Sequence, residues 1–192
     1  MNVTQDKLKF ITCRDHITWL LVQMQAKVVC EVGVKEGWNF HRLLAPSVEI
    51  AVAVDLWHDT GVAGQNDDST SQGDLDRQCS KMRGWAWKDK RIRVVRDYSV
   101  NAADKFDNGF FDFVYLDADH SFESTYADMV AWWPTVRAGG VLAGHDYVEC
   151  ELPNGVVFGV IEAVQRFIGE VGAKAHVDGE TNWFIAKEDS DV

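Results

Sequence analysis

At 192 residues, with 46% hydrophobic and 26% charged positions, the chain is long enough for one globular domain with a sizeable core. Its 19 basic and 30 acidic residues give a net charge of −11, which disfavours nucleic acid and anionic membranes as partners and suits a small or cationic substrate. No apolar run approaches the roughly 18 residues of a membrane span, and the charged stretch MNVTQDKLKF lacks the apolar core of a signal peptide. The four cysteines (Cys13, Cys30, Cys79 and Cys150) are dispersed without a C-x-x-C, so a reduced, cytoplasmic setting is expected.

Asp15 to Ala26 carries Ile17, Leu20, Leu21 and Met24 at helical spacing. Next comes VVCEVGVKEG at 28–37, an apolar β-type run that breaks at Gly33 and Gly37. Amphipathic spacing resumes at Phe40, Leu43 and Leu44 and stops before Pro46, which reads as strand, glycine turn, helix. A second apolar run, AVAVDLW at 51–57, passes through Asp55. Glycines let backbone approach a ligand, a helix N-terminus offers free N–H donors, and an acid closing the next strand can accept both hydroxyls of a ribose. The pair of strands therefore predicts a site for a nucleoside-containing cofactor. The pattern is E-x-G-x-x-x-G (Glu31, Gly33, Gly37), not the G-x-G-x-x-G that a pyrophosphate favours.

His58 to Asp76 is polar and Asp-rich, a short helical segment covers 75–82, and GWAWKDKR follows at 84–91. A connection this long predicts a lid insertion over 58–90, the alternative being a solvated insertion with Trp85 and Trp87 packed beneath it. A third strand at 92–95 closes on Arg96-Asp97-Tyr98-Ser99, where Asp97 or Ser99 can meet the exocyclic amine of an adenine. FFDFVYLDADH at 110–120 is a strongly apolar fourth strand ending in Asp117, Asp119 and His120. Ser121 can cap the next helix, which stops at Pro134. A turn at 137–140 leads to a fifth strand, VLAGHDY, ending at His145-Asp146-Tyr147. A helix over 157–168 and two short strands, 174–177 and 183–186, complete the pattern. Alternating strands and helices predict a mostly parallel sheet covered on both faces.

Ligands bind outside the carboxyl ends of such strands, so Asp55, Asp97, Asp117, Asp119, His120, His145 and Asp146 become neighbours. Clustered carboxylates repel unless a cation or proton intervenes. Acids from adjacent strands can hold a hard divalent cation such as Mg²⁺. His145, with an ordinary pKa near about 6.5, can serve as a general base.

Together with Asp55, the Glu31, Gly33, Gly37 motif resembles the first motif of class I S-adenosylmethionine-dependent methyltransferases. YLDADHSFESTYADMVAWWPTVRAGGVLAGHDY at 115–147 resembles the corresponding half of the metal-dependent O-methyltransferases related to the macrocin and catechol enzymes, closest to the methyltransferase 24 group. The likeness covers 28–147. It implies a single Rossmann-like α/β domain with a seven-stranded, mostly parallel sheet and an antiparallel final pair. It also implies S-adenosylmethionine held by Glu31, Gly33, Gly37 and Asp55, with Trp57, Asp97 and Ser99 as further contacts. Asp117, His145 and Asp146 match the family's metal positions, for Mg²⁺ or another divalent cation, although His145 stands where many relatives have Asp or Asn. The expected reaction is methyl transfer to a small-molecule hydroxyl, with His145 or Asp119 as base. A homodimer is left open. Two rivals remain: a metal-dependent oxygenase or hydrolase using His120, His145 and one aspartate, and a non-catalytic cofactor-binding module.

Overall fold

In the central strands nearly every side chain is apolar, as a parallel sheet covered on both faces requires. The computed structural model describes residues 5–60, 70–151, 155 and 157–188. Its strands are β1 (Val28–Val32), β2 (Ile50–Asp55), β3 (Ile92–Arg96), β4 (Phe111–Leu116), β5 (Val136–Gly144), β6 (Ala175–Val177) and β7 (Trp183–Ala186). They form one sheet in the order β3-β2-β1-β4-β5-β7-β6. Pairing is parallel from β3 to β5, while β7 runs antiparallel to β5 and β6. This is the Rossmann-like methyltransferase arrangement expected from the sequence.

Alternate side chains of each strand enter opposite cores. Ala51, Ala53, Phe113 and Tyr115 pack under α2 (His16–Met24), α3 (Phe40–Leu43) and α4 (Gln72–Lys88), near the short α1 (Gln5–Leu8). Val52, Val54, Val114 and Leu116 pack under α5 (Ser99–Ala103), α6 (Phe122–Trp132) and α7 (Val160–Val171). Strand order reverses between β1 and β4, which opens a crevice at their carboxyl ends. No helix among the described residues is long and apolar enough to cross a membrane.

Two elements differ from the sequence reading. The expected turn at 137–140 lies inside β5, because β5 takes up extra residues opposite Phe111 to Phe113 in an irregular register. Gly139 has φ +69°, and a Cβ on Gly140 would come within 2.9 Å of two carbonyl oxygens, so this bulge needs both glycines. The segment read as a short helix and a basic patch is one 17-residue helix, α4, started by a capping box between Ser71 and Asp74. Burial of Leu75, Cys79 and Met82 outweighs the weak helix propensity of Gly84. Trp85 packs beneath the chain as one alternative held, whereas Trp87 is 78% exposed. Of the expected lid, 61–69 lies outside the described residues.

Candidate active site

The strand ends frame a cleft of about 1110 Å³, lined from Arg14 and Glu31 across Asp55 to Ser99 and Asp117. Asp55 ends β2, and both its oxygens are engaged. Oδ2 accepts from the Lys35 amide and Oδ1 from the Trp57 amide, each at 2.7 Å. Trp57 is buried with φ +41°, and its indole donates to the Lys35 carbonyl at 2.9 Å. One carboxylate and one indole thus clamp the glycine turn to the end of β2. Burial raises the pKa of Asp55 against the opposing pull of the Trp57 and Lys35 amides.

Gly33 lines this cleft, but its backbone requirement is internal. With φ +86°, a Cβ there would lie 2.0 Å from the Asp117 carbonyl oxygen. Gly37, expected to touch cofactor, is not among the residues lining the cleft. Its φ is +82° and it packs against the Trp85 ring, so it shapes the turn from behind.

The end of the cleft by β1 holds an unusual group of polar atoms. Glu31 is 1% exposed and Asn39 4%, yet Glu31 Oε2 and both polar atoms of the Asn39 side chain lack hydrogen-bond partners among the described residues. Burial raises the Glu31 pKa strongly and the Asp117 charge adds to it, while a loose contact from the Asn39 side chain, outside good hydrogen-bond geometry, and the Arg14 charge oppose. Arg14, just before α2, donates through Nε to Asn182 Oδ1 at 3.3 Å and lies over the Tyr115 ring. Arg14 and Asn39 carried no sequence signal, since each is placed only by tertiary packing.

At the opposite end, Asp97 Oδ1 accepts from the Tyr98 amide at 2.8 Å and Oδ2 pairs with Lys105, a bond that holds its pKa down. Ser99 Oγ accepts from the Trp132 indole at 3.0 Å. Both line the cleft, as does Asp128, which the sequence reading missed inside an amphipathic helix. Asp128 is 6% exposed, and burial lifts its pKa to about 7, opposed by a Ser99 hydrogen bond and reinforced by Asp119.

Beyond β4 and β5 the ionisable groups converge. His145 Nδ1 lies 3.0 Å from Asp146 Oδ1 and 3.8 Å from Asp117 Oδ1, and His120 Nδ1 lies 3.3 Å from Asp146 Oδ2. Asp117, His120 and Asp146 each offer a donor atom within 4.8 Å of the others. Two carboxylates and an imidazole at that spacing can hold a divalent cation, and this group has His120 in the set where the sequence reading put His145. Asp146 turns back toward the cluster with φ +57°, a left-handed conformation that Asp tolerates. Burial raises the Asp117 pKa against the charges of His145 and Arg14. Burial works on Asp146 too but is outweighed by its His145 hydrogen bond and nearby positive charge, and its pKa is lowered. Of the two expected bases, Asp119 lines the main cleft, its Oδ1 accepting from the Ser121 amide at 2.7 Å. His145 instead lines a small adjoining pocket.

Comparison with known proteins decides the family. The family described as "Methyltransferase domain" matches residues 30–147, which is more than half of the chain. The chain belongs to this methyltransferase-domain family. It is an S-adenosylmethionine-dependent methyltransferase, and the unpartnered Glu31 and Asn39 atoms beside the clamped Asp55 fit such a cofactor. A search of curated proteins found no significant match. Among solved structures the methyltransferase resembles the O-methyltransferase NovP, at TM-score 0.65 and 12% identity, covering 95% of this chain and 80% of that one. It also resembles an O-methyltransferase from Bacillus cereus in complex with SAH, at TM-score 0.56 and 15% identity, covering 97% and 83%. A spermidine synthase matches at TM-score 0.55 and 17% identity, covering 91% and 58%. At these identities the likeness establishes the fold alone.

Proposed function

We propose that the enzyme transfers the methyl group of S-adenosylmethionine to a hydroxyl oxygen of a small-molecule acceptor, with a divalent cation held between Asp117 and Asp146. The observation that carries the reading is the pairing, in one cleft, of a backbone-clamped Asp55 with buried Glu31 and Asn39, of which Glu31 Oε2 and the Asn39 amide atoms lack a well-formed hydrogen bond among the described residues. Buried polar groups left unpartnered by the protein are the ones a ligand completes.

When bound, the cofactor supplies an electrophilic methyl group on its sulfonium. Asp55 keeps its backbone bonds and uses its remaining lone pairs to accept the two ribose hydroxyls. Glu31 and Asn39, with Arg14 on the same wall, would meet the charged amino-acid end, and Ser99, at the other end of the cleft, would meet the adenine. Asp119 lines the same wall and takes the proton of the acceptor hydroxyl. Asp117 and Asp146 would hold a cation that places positive charge beside that hydroxyl and lowers its pKa. The net charge of −11 favours a neutral or cationic acceptor over nucleic acid or anionic membrane.

The test is release of S-adenosylhomocysteine from S-adenosylmethionine with phenol, catechol and sugar hydroxyl acceptors, before and after exhaustive chelation and after return of Mg²⁺ or Mn²⁺. Amine acceptors are assayed in parallel. Turnover on a hydroxyl acceptor that falls on chelation and recovers is the expected result. Full activity in chelator removes the cation, and turnover confined to the amines overturns the oxygen assignment.

A further inference from the structure

An imidazole stands in the β4–β5 cluster where a Mg²⁺ site would present oxygen. Mg²⁺ demands oxygen donors in near-ideal octahedral geometry, whereas imidazole suits Zn²⁺, Fe²⁺, Co²⁺ and similar ions. The His120 ring is firmly placed. Phe158 lies against it with ring centroids 4.7 Å apart, and the Gly159 amide donates to the His120 carbonyl at 2.8 Å. Gly159 itself is pressed on the start of α6, where a Cβ would meet the Phe122 amide nitrogen at 2.4 Å. His120 Nδ1 therefore points at the Asp146 carboxylate from a braced loop.

His145 is arranged differently. Its Nε2 lies 3.2 Å from Thr181 Oγ1, and its Nδ1 lies 3.0 Å from Asp146 Oδ1. Donation to the Asp146 carboxylate puts a proton on Nδ1, and the Thr181 hydroxyl can then either donate to Nε2 or accept from it. A histidine so arranged has no lone pair toward the cluster and orients the carboxylate instead, as outer-sphere groups of metal sites do.

We propose that the β4–β5 end is a mixed nitrogen and oxygen centre in which His120 is a ligand beside Asp117 and Asp146, His145 orients Asp146, and the cation taken is a borderline transition ion such as Fe²⁺, Co²⁺ or Zn²⁺ in preference to Mg²⁺. The inference rests on the reading that a divalent cation sits at this end of the cleft, and it names both a ligand and a class of ion which that reading leaves open. Donors bound at roughly 2.0–2.2 Å lie at most about twice that distance apart. The three donor atoms, all within 4.8 Å of one another, need only small side-chain rotations to reach that span.

The experiment is calorimetric titration of the full chain with Mg²⁺, Mn²⁺, Co²⁺ and Zn²⁺, for the parent, His120→Ala and His145→Gln, with thermal unfolding of each metal-free protein as the fold check. The parent should bind Co²⁺ and Zn²⁺ more tightly than Mg²⁺. His120→Ala should lower Co²⁺ and Zn²⁺ affinity by at least about tenfold while Mg²⁺ changes little, so the preference narrows, and His145→Gln should weaken all four ions alike. Should His120→Ala unfold, pulsed electron paramagnetic resonance of the Mn²⁺-loaded parent replaces it, with a histidine nitrogen coupling expected. An unchanged Co²⁺ to Mg²⁺ ratio in His120→Ala, or no nitrogen coupling, overturns the ligand assignment while leaving a cation in place. Binding of no cation by the parent overturns the cation reading itself. S-adenosylhomocysteine binding, measured on the same samples, reports separately on the cofactor.

Discussion

The β1–β2 side of the cleft and the β4–β5 side both end in carboxylates, but the two are held by different means. Asp55 is fixed by two backbone amides and the Trp57 indole clamp, so its position follows from the fold itself. Asp117 and Asp146 are faced by imidazoles, side chains that can share a proton or a cation with them. The first side is set by backbone and the second by side-chain ion pairs, so the first should hold its geometry whether or not a ligand is bound, while the second depends on its charges being balanced.

The largest expected effect comes where the two sides join. Gly33→Ala drives a Cβ into the Asp117 carbonyl at a positive φ, and it should cost about 5 kcal/mol or more, loosening β1 from β4. Denaturant unfolding checks it. Gly37→Ala, whose nearest obstacle is the Trp85 side chain, should cost distinctly less, and equal losses would break the distinction between joint and turn.

Asp128 tests the far wall through pH. Its folded pKa of about 7 lies above the unfolded carboxylate value, so the folded state binds the extra proton. Its contribution is intact below about pH 4 and is lost as pH rises through about 7. Asp128→Asn removes this dependence. Relative to that variant, the parent should lose on the order of 4 kcal/mol of stability between about pH 4 and 8, read by urea unfolding at each pH. Parallel profiles would mean that Asp128 titrates as an ordinary carboxylate.

Asp55→Ala sharpens the contrast between the two sides. It removes two bonds from backbone amides to a charged acceptor, each worth about 1.5–3 kcal/mol, and frees the glycine turn. Stability should fall by about 3 kcal/mol and S-adenosylhomocysteine affinity by at least about tenfold, the first by denaturation and the second by calorimetry. Loss of affinity without loss of stability would show that the backbone clamp contributes nothing to the fold.

The sheet was legible because it depends on local pattern. The apolar runs that became β1, β2 and β4, and the acids closing them, are visible as period and punctuation in the chain. The β5 boundary was not, because Gly139 and Gly140 look like a turn and act as a bulge. The full length of α4 was hidden by Gly84. At the site, Asp55, Asp117 and Asp146 could be found as strand ends. Arg14, Asn39 and Asp128 could not, since they come from helices and connections whose facing is settled only by packing. The surroundings of the two imidazoles were hidden for the same reason: His120 packs on Phe158 and His145 meets Thr181, both far away in sequence.

The central claim is that this cleft takes S-adenosylmethionine through Asp55 and the buried Glu31, with the β4–β5 cluster reserved for cation and acceptor. Calorimetric titration of S-adenosylhomocysteine into the parent, Glu31→Gln and Asp146→Asn tests it most directly. One equivalent should bind the parent. Glu31→Gln should be at least as stable as the parent, because a buried acid disfavoured by burial and the Asp117 charge is gone, yet bind at least about tenfold more weakly. Asp146→Asn should bind as the parent does. Absence of binding by the parent, or equal affinity in Glu31→Gln, would contradict the account.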